Sequence, residues 1–491
     1  MNNRVPAERP AFRVFNNTVS IIGGDLVYHL INFFAGILVA RSLGSERYGQ
    51  FSFVFVYLSF FEIFVQFGLN SILTRELAQK KEEAPRILGS ALSLRLLLIG
   101  CALPIALILI RLSGYPLSIQ QSVFLASFQL FLNLRSVYEI IFRVNLLMIY
   151  PALLNTVRAL INLALVAGIF FFHPHVLLFV LAYVGSGFLG LAATLGVSRR
   201  FVRIRFEWDP SLMKRLLKES APLLFSGYLT LLYYRIDVMM LSMMKGFAEV
   251  GYYSVATRLT ESLDIIANSL MISLFPLLSK AFKEDRQQFD RLLSKTFSIL
   301  LLAGFPLAIG GSLAAQDLVI FLFGKGYARS GVTLGILFWY TFFGFFSTFF
   351  VNLLIVCGKQ VVDAWISFFL VLVNIGMNLL WIPSYSYHGA ALATVMTEVF
   401  GTLAMLIYAL KHPLLRLSFP LRELGEALKV NLLFLAALFS IKIFFPLPVL
   451  GFVGAGILIY ALLLWGMQWV SFEDLKSYLS QGVKALTGGR P

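Results

Sequence analysis

The sequence predicts an all-α polytopic membrane protein of about fourteen transmembrane helices. They are expected as two parallel six-helix repeats, forming two bundles around a central cavity, with two extra C-terminal helices. Three observations predict this fold. The 491-residue chain is 59% hydrophobic and only 13% charged, with a mean hydropathy of +0.83; a soluble domain carries about 25% charged residues. Apolar stretches near the ~20 residues of a spanning helix recur along its length. Finally, the chain repeats itself at an offset of 202 residues.

The apolar stretches fall at 18–40, 48–69, 88–110, 119–139, 151–172, 176–197, 220–244, 256–278, 293–313, 332–356, 361–381, 388–410, 427–445 and 449–470. The first is too long for a signal-peptide core and lacks a small-residue cleavage site after it, so it reads as a retained helix. The repeat runs through the first twelve. Gly44-x4-Gly49-x-Phe51-Ser52 returns as Gly246-x4-Gly251-x-Tyr253-Ser254, Glu62 and Gln66 as Asp264 and Asn268, and Pro104 as Pro306. Six helices per half bring both halves into the membrane from the same side, so the repeat is parallel, an architecture of transporters. The expected domains are 1–198, a basic and partly amphipathic cytoplasmic linker at 199–219, a second bundle at 220–412, and two extra helices with a tail at 413–491.

The formal net charge of +15 suggests nucleic acid, but topology explains it better. Lys and Arg concentrate in the loops on the N-terminal side, above all in Arg199, Arg200, Arg203, Arg205, Lys214, Arg215 and Lys218. Cytoplasmic loops carry such an excess, so both termini are expected in the cytoplasm. The location expected is a bacterial or archaeal plasma (inner) membrane, with no nucleic-acid partner. Cys101 and Cys357 fall near opposite faces and have no metal-ligand neighbours, so neither a disulfide nor a metal is expected.

Charges inside the membrane need a reason, because each costs roughly 2.5–3.5 kcal/mol at a helix centre. Arg95, Arg135 and Arg158 lie roughly 6–10 Å from the cytoplasmic interface, within reach of snorkelling or structural pairing. Arg235 lies roughly 22 Å deep and needs a wet cavity or a partner on another helix. Asp237, two positions away, is on nearly the opposite face. Guanidinium groups bind phosphate bidentately, so the four arginines form the candidate substrate site for a phosphorylated or carboxylated cargo. Acidic and polar residues form stripes: Asp25, His29, Asn32 and Gly36; Ser59, Glu62, Gln66 and Asn70; Glu261, Asp264 and Asn268. Packing between helices explains them, as does an ion-coupling site for H+ or Na+ built on Asp25, Glu62, Asp237 and Asp264, since a carboxylate in a low-dielectric cavity can take up a proton. No cofactor is expected.

Motifs along most of the chain resemble a known family. They include Ala40-Arg41-Ser42-Leu43-Gly44…Tyr48-Gly49-Gln50-Phe51-Ser52, Phe67-Gly68-Leu69-Asn70…Arg75-Glu76, Tyr150-Pro151-Ala152-Leu153…Arg158 and Tyr234-Arg235-Ile236-Asp237. Further on come Glu249-Val250-Gly251-Tyr252-Tyr253, Phe275-Pro276, Phe323-Gly324-Lys325-Gly326-Tyr327-Ala328 and Asn374…Asn378…Ile382-Pro383. The chain resembles the polysaccharide, or O-antigen, flippases of the multidrug/oligosaccharidyl-lipid/polysaccharide exporter superfamily. Each element is short; order and spacing over about 400 residues carry the resemblance. It departs at Ser386, where the family commonly has Gly. The resemblance implies alternating-access flipping of an undecaprenyl-diphosphate-linked oligosaccharide from the cytoplasmic to the outer leaflet, for surface polysaccharide biosynthesis. It also implies membrane lipids and glycan polymerase machinery as partners, and a cationic cavity assigned to Arg158 and Arg235. Arg95 and Arg135 rest on depth alone.

Three rivals remain open. A lipid II or drug/cation exporter of the same superfamily shares the architecture, although an organic-cation exporter wants carboxylates rather than deep arginines. A major-facilitator transporter usually shows a Gly/Asp/Arg motif where this chain reads Ser71-Ile72-Leu73-Thr74-Arg75-Glu76. A polytopic enzyme of glycan assembly needs acidic loop residues, and the outer loops offer only the separated Glu46, Glu249 and Asp317.

Overall fold

A computed structural model describes residues 10–202, 204–412, 421–445 and 447–467; the side chains of residues 10–22, 25 and 421–424 lie outside that description. The described residues form helices and no strand. In order these are α1 (Pro10–Gln66), α2 (Leu69–Gln79), α3 (Ala84–Leu112), α4 (Leu117–Ser127), α5 (Leu134–Val144), α6 (Ile149–Phe172), α7 (Val176–Ser198) and α8 (Pro210–Met244). Then follow α9 (Phe247–Glu261), α10 (Asp264–Glu284), α11 (Arg286–Phe323), α12 (Ser330–Val356), α13 (Gln360–Lys411), α14 (Leu421–Phe444) and α15 (Val449–Gly466). Among the described residues, 10 helical spans are long and apolar enough to cross a bilayer. The chain is a multi-pass membrane protein. A fully helical chain suits lipid, where each backbone polar group must be satisfied within its own segment.

Several expected boundaries move, each for a local reason. The stretches 18–40 and 48–69 share α1, which is interrupted at Gly44 (φ 70, ψ 174). The stretches 361–381 and 388–410 share α13, which breaks at Ser386 (φ 54, ψ -135). The stretch 119–139 is not one helix: a 3₁₀ segment, Phe128–Asn133, separates α4 from α5. Ser127 Oγ there donates to the Phe124 carbonyl at 2.7 Å, and Asn133 Nδ2 to the Leu130 carbonyl at 3.1 Å. Such local bonds compete with the helical ladder.

Helix α8 starts at Pro210, ten residues earlier than expected, because Asp209 caps it through the Leu212 N–H at 3.0 Å and proline suits the first helical position. Its first turns are amphipathic, with Lys214, Arg215 and Lys218 exposed and Leu212, Met213 and Leu216 buried. Leu212, Met213 and Leu216 pack against Ile72, Leu73, Ile87 and Leu88. Ion pairs Arg215–Glu76 (2.9 Å), Arg86–Asp209 (2.6 Å) and Arg75–Glu219 fix the same turns.

The chain divides into two compact units, each drawn from separate segments. The first comprises Met1–Ser262, Leu322–Tyr327 and Ala364–Ala393; the second comprises Leu263–Phe321, Ala328–Asp363 and Thr394–Pro491. In the first unit, α1 packs on α6, α8 and α9. The repeated glycines explain how. Gly44 and Gly246 both take positive φ, 70° and 98°, a conformation that costs glycine little. A Cβ on Gly49 would collide with the Phe247 carbonyl, and one on Gly251 with the Ser45 carbonyl. Since 45 and 247 are themselves equivalent at the 202 offset, the two motifs cross reciprocally about a local pseudo-two-fold axis. Neighbouring segments clip onto the broken ends: Tyr327 Oη donates to the Ala40 carbonyl at 2.9 Å, Arg41 Nε to the Leu322 carbonyl at 2.6 Å, and Lys245 Nζ to the Pro383 carbonyl at 2.7 Å. These carbonyls lie at helix interruptions, where the regular ladder leaves acceptors open.

In the second unit, α10 packs on α12, whose Phe345, Phe346, Phe349 and Phe350 are buried. The two C-terminal helices join it through Phe434, Leu438 and Phe452 around Ala314. Tyr460 Oη donates to the Leu302 carbonyl at 2.6 Å.

Candidate cargo cavity

Within the first unit, α1, α6, α7, α8 and α9 enclose a cavity of about 360 Å³. Its charged lining is Arg235 from α8 and Arg258 and Glu261 from α9; Asn32, Asn162 and Tyr183 add polar groups. Two arginines against one glutamate leave one positive charge in excess. Arg235 thus lies on a cavity and beside an acidic side chain of another helix.

Arg235 reaches Glu261 with both arms of its guanidinium, Nη1 to Oε1 at 2.9 Å and Nη2 to Oε2 at 3.4 Å. Asp237 points away, as its face predicted. It is buried, accepts from the Tyr253 hydroxyl, and takes the Val238 N–H at 2.7 Å. Arg258 is a charged cavity residue that the sequence reading missed. Its Nη2 donates to the Asn32 carbonyl, and its guanidinium occupies the space that a side chain at Gly36 would need. Its Nε is buried without a hydrogen-bond partner, and no carboxylate pairs with it among the described residues. A signal existed: at the 202 offset Arg258 faces Val56, just as Arg235 faces Phe33.

The other predicted arginines stand elsewhere in the same unit. Arg95 is fully buried; it donates to the Asn133 carbonyl and Ser136 Oγ, and to Asn70 Oδ1 at 2.6 Å. Arg135 pairs with Glu139 at 2.8 Å and donates to Asn155 Oδ1 at 2.6 Å. Arg158 donates to the Tyr28 hydroxyl and stacks over its ring, 5.4 Å from the centroid. A side chain at Gly190 would meet both Arg135 and Arg158, so these two are neighbours. None of the three lines the cavity of Arg235.

The carboxylates do not assemble as one group. Asp25 falls on α1, but its side chain lies outside the described residues. Glu62 is half-buried, with no hydrogen bond or ion pair among the described residues. Asp264 opens α10 in the second unit. Two expected stripes are also broken. Phe67 and Gly68, both at positive φ, move Asn70 onto α2, and Ser262–Leu263 separates Glu261 from Asp264. Asn32, Gly36 and Ser59 do line the cavity.

A family profile described as "Polysaccharide biosynthesis protein" matches residues 14–282, and a second, MatE, matches 222–380. The capsular polysaccharide biosynthesis protein CapF of Staphylococcus aureus is 26% identical over 198 residues, 40% of this chain and 50% of that one; the chain thus spans about half the length of that relative. Two solved structures share the fold. The lipid II flippase MurJ in an inward closed conformation superposes with a TM-score of 0.76 at 15% identity, over 94% of this chain and 99% of that one. An inward-facing multidrug resistance MATE family transporter of the MOP superfamily gives 0.64 at 16% identity, over 79% and 97%.

Proposed function

We infer, from the premise that the chain belongs to the polysaccharide biosynthesis protein family, that it flips a lipid-linked oligosaccharide from the cytoplasmic to the outer leaflet. It is a transporter of the superfamily that joins polysaccharide flippases, MurJ and MATE proteins. The cargo we propose is undecaprenyl-diphosphate-linked, carried by alternating access in a plasma membrane with both termini cytoplasmic.

One observation supports this cargo above the others: Arg258, whose buried Nε has no acceptor and which has no carboxylate partner among the described residues, beside Arg235 in a cavity with excess positive charge. The Asn32 carbonyl holds Nη2, but a buried N–H left without an acceptor is costly, and a phosphate oxygen supplies one. The diphosphate would span Arg235 and Arg258, with Asn32 and Asn162 beside it. Excess positive charge disfavours an organic-cation cargo. Arg95 Nε is buried without a partner too, but Arg95, Arg135 and Arg158 do not line the cavity, and they are assigned to fixing the first unit. Coupling to H+ or Na+ is proposed at Glu62, whose carboxylate has no hydrogen bond or ion pair among the described residues.

Flipping of a fluorescent polyprenyl-diphosphate oligosaccharide in proteoliposomes tests the reading. Wild type should move it, and Arg258→Gln should slow it by tenfold or more, about 1.4 kcal/mol. Equal flipping by Arg258→Gln, or transport of a lipophilic cation instead, refutes it.

A further inference from the structure

The cavity carries its own counter-ion. Glu261 is the last residue of α9. The backbone stays in right-handed helical φ/ψ through Ser262 and Leu263, so Glu261 lies at a short turn within the long span Phe247–Glu284. What retains it is Arg235, through the two-armed contact at 2.9 and 3.4 Å. That contact has the form a guanidinium offers a phosphate. Both side chains are about one-third exposed, 34% and 35%, and both line the cavity, so an entering anion can reach the pair.

We propose that Glu261 stands in for the anionic group of the cargo: a phosphate-bearing headgroup takes Arg235 and displaces Glu261. The inference rests on the cargo reading above and adds a consequence. Glu261 immediately precedes the break at Ser262–Leu263, where the chain leaves the first unit and α10 begins the second. Displacement removes the contact that holds the end of α9, so occupancy of Arg235 is reported to the break between α9 and α10. Glu261 is thus a positioning residue: it lowers affinity for cargo and makes movement depend on cargo.

The test uses the full chain in nanodiscs, with inorganic pyrophosphate and a short polyprenyl diphosphate as probes, and flipping in proteoliposomes alongside. Removing the competing carboxylate in Glu261→Gln should tighten binding by about tenfold while flipping falls. A merely structural residue would not separate the two in that direction. Glu261→Asp keeps the charge and should bind nearly as wild type; it replaces Glu261→Gln as the reference if the neutral variant folds poorly, with Glu261→Ala as the second neutral variant. If Arg235→Gln loses binding but the neutral variants bind no tighter, the counter-ion role is overturned and the cargo reading stands. If the neutral variants bind tighter but flip at the wild-type rate, the link to movement is overturned. If Arg235→Gln and Arg258→Gln both bind like wild type, the cargo reading itself falls.

Discussion

Replacing Gly49 or Gly251 with alanine probes the element on which the first unit turns. A Cβ at Gly49 would stand 2.7 Å from the Phe247 carbonyl carbon and 2.8 Å from the Gly251 nitrogen; one at Gly251 would stand 2.8 Å from the Ser45 carbonyl carbon. The Phe247 and Ser45 carbonyl oxygens stand closer still; comfortable contacts lie near 3.5–4.0 Å, so the backbones must part by roughly 1.5 Å or more. The obstacle is backbone, with no side chain to rotate aside. Overpacking of this kind costs roughly 1–3 kcal/mol. Because the two substitutions open the same crossing, the second should cost less than the first, with a coupling of roughly 0.5–3 kcal/mol. Reversible unfolding in mixed micelles, as a double-mutant cycle, measures both quantities. Two independent, fully additive losses would refute the reciprocal crossing. Absence of any loss would refute the close approach.

Other expectations follow from named contacts. Arg95→Leu strips donors from the Asn133 carbonyl, Ser136 and Asn70 and should cost about 3 kcal/mol of stability; thermal unfolding should show it, while flipping per folded molecule stays near wild type. A large flipping defect without lost stability would return Arg95 to the cargo site. The Ser211 hydroxyl, then Arg86 and the Leu212 N–H, hold the Asp209 carboxyl well below the usual aspartate range. Its capping contribution is therefore complete above the unfolded value near about 4 and fades as pH falls below it. The stability gap between wild type and Asp209→Ala should be constant at neutral pH and narrow in acid; a gap that widens in acid would contradict the capping account. Tyr253→Phe leaves the buried Asp237 short of a donor and should destabilise by roughly 1–3 kcal/mol, with Tyr253→Phe/Asp237→Asn recovering part of it in an unfolding titration.

The fold was legible because lipid imposes few choices. Apolar length marked the chain as a bundle of membrane-crossing helices, though the ten spans among the described residues do not confirm fourteen, and the repeat specified which glycines correspond. The meaning of that repeat lay in three dimensions: Gly49 and Gly251 recur because each makes room for the other's neighbouring backbone. Boundaries slipped where polar side chains act on the chain locally, at Asp209, Ser127 and Asn133, which hydropathy averages away. The cavity was half legible. Depth singled out Arg235, and its facing residue Phe33 already marked it as a departure from the repeat. Arg258 departs in the same way, facing Val56, but sits near the edge of an apolar stretch and reads as a flank. Arg95 and Arg135 showed how little depth says about a partner: a buried guanidinium is satisfied equally by a cargo phosphate or by the protein's own carbonyls, amides and carboxylates.

The central claim is that this chain carries a lipid-linked glycan through the cavity of Arg235 and Arg258. Its most direct measurement is the leaflet distribution of lipid-linked oligosaccharide in cells lacking the chain, complemented with wild type or with Arg235→Gln/Arg258→Gln. The account predicts accumulation on the cytoplasmic leaflet, relieved by wild type and not by the double variant. Unchanged surface glycan with no accumulation, or accumulation of lipid II alone, would contradict it.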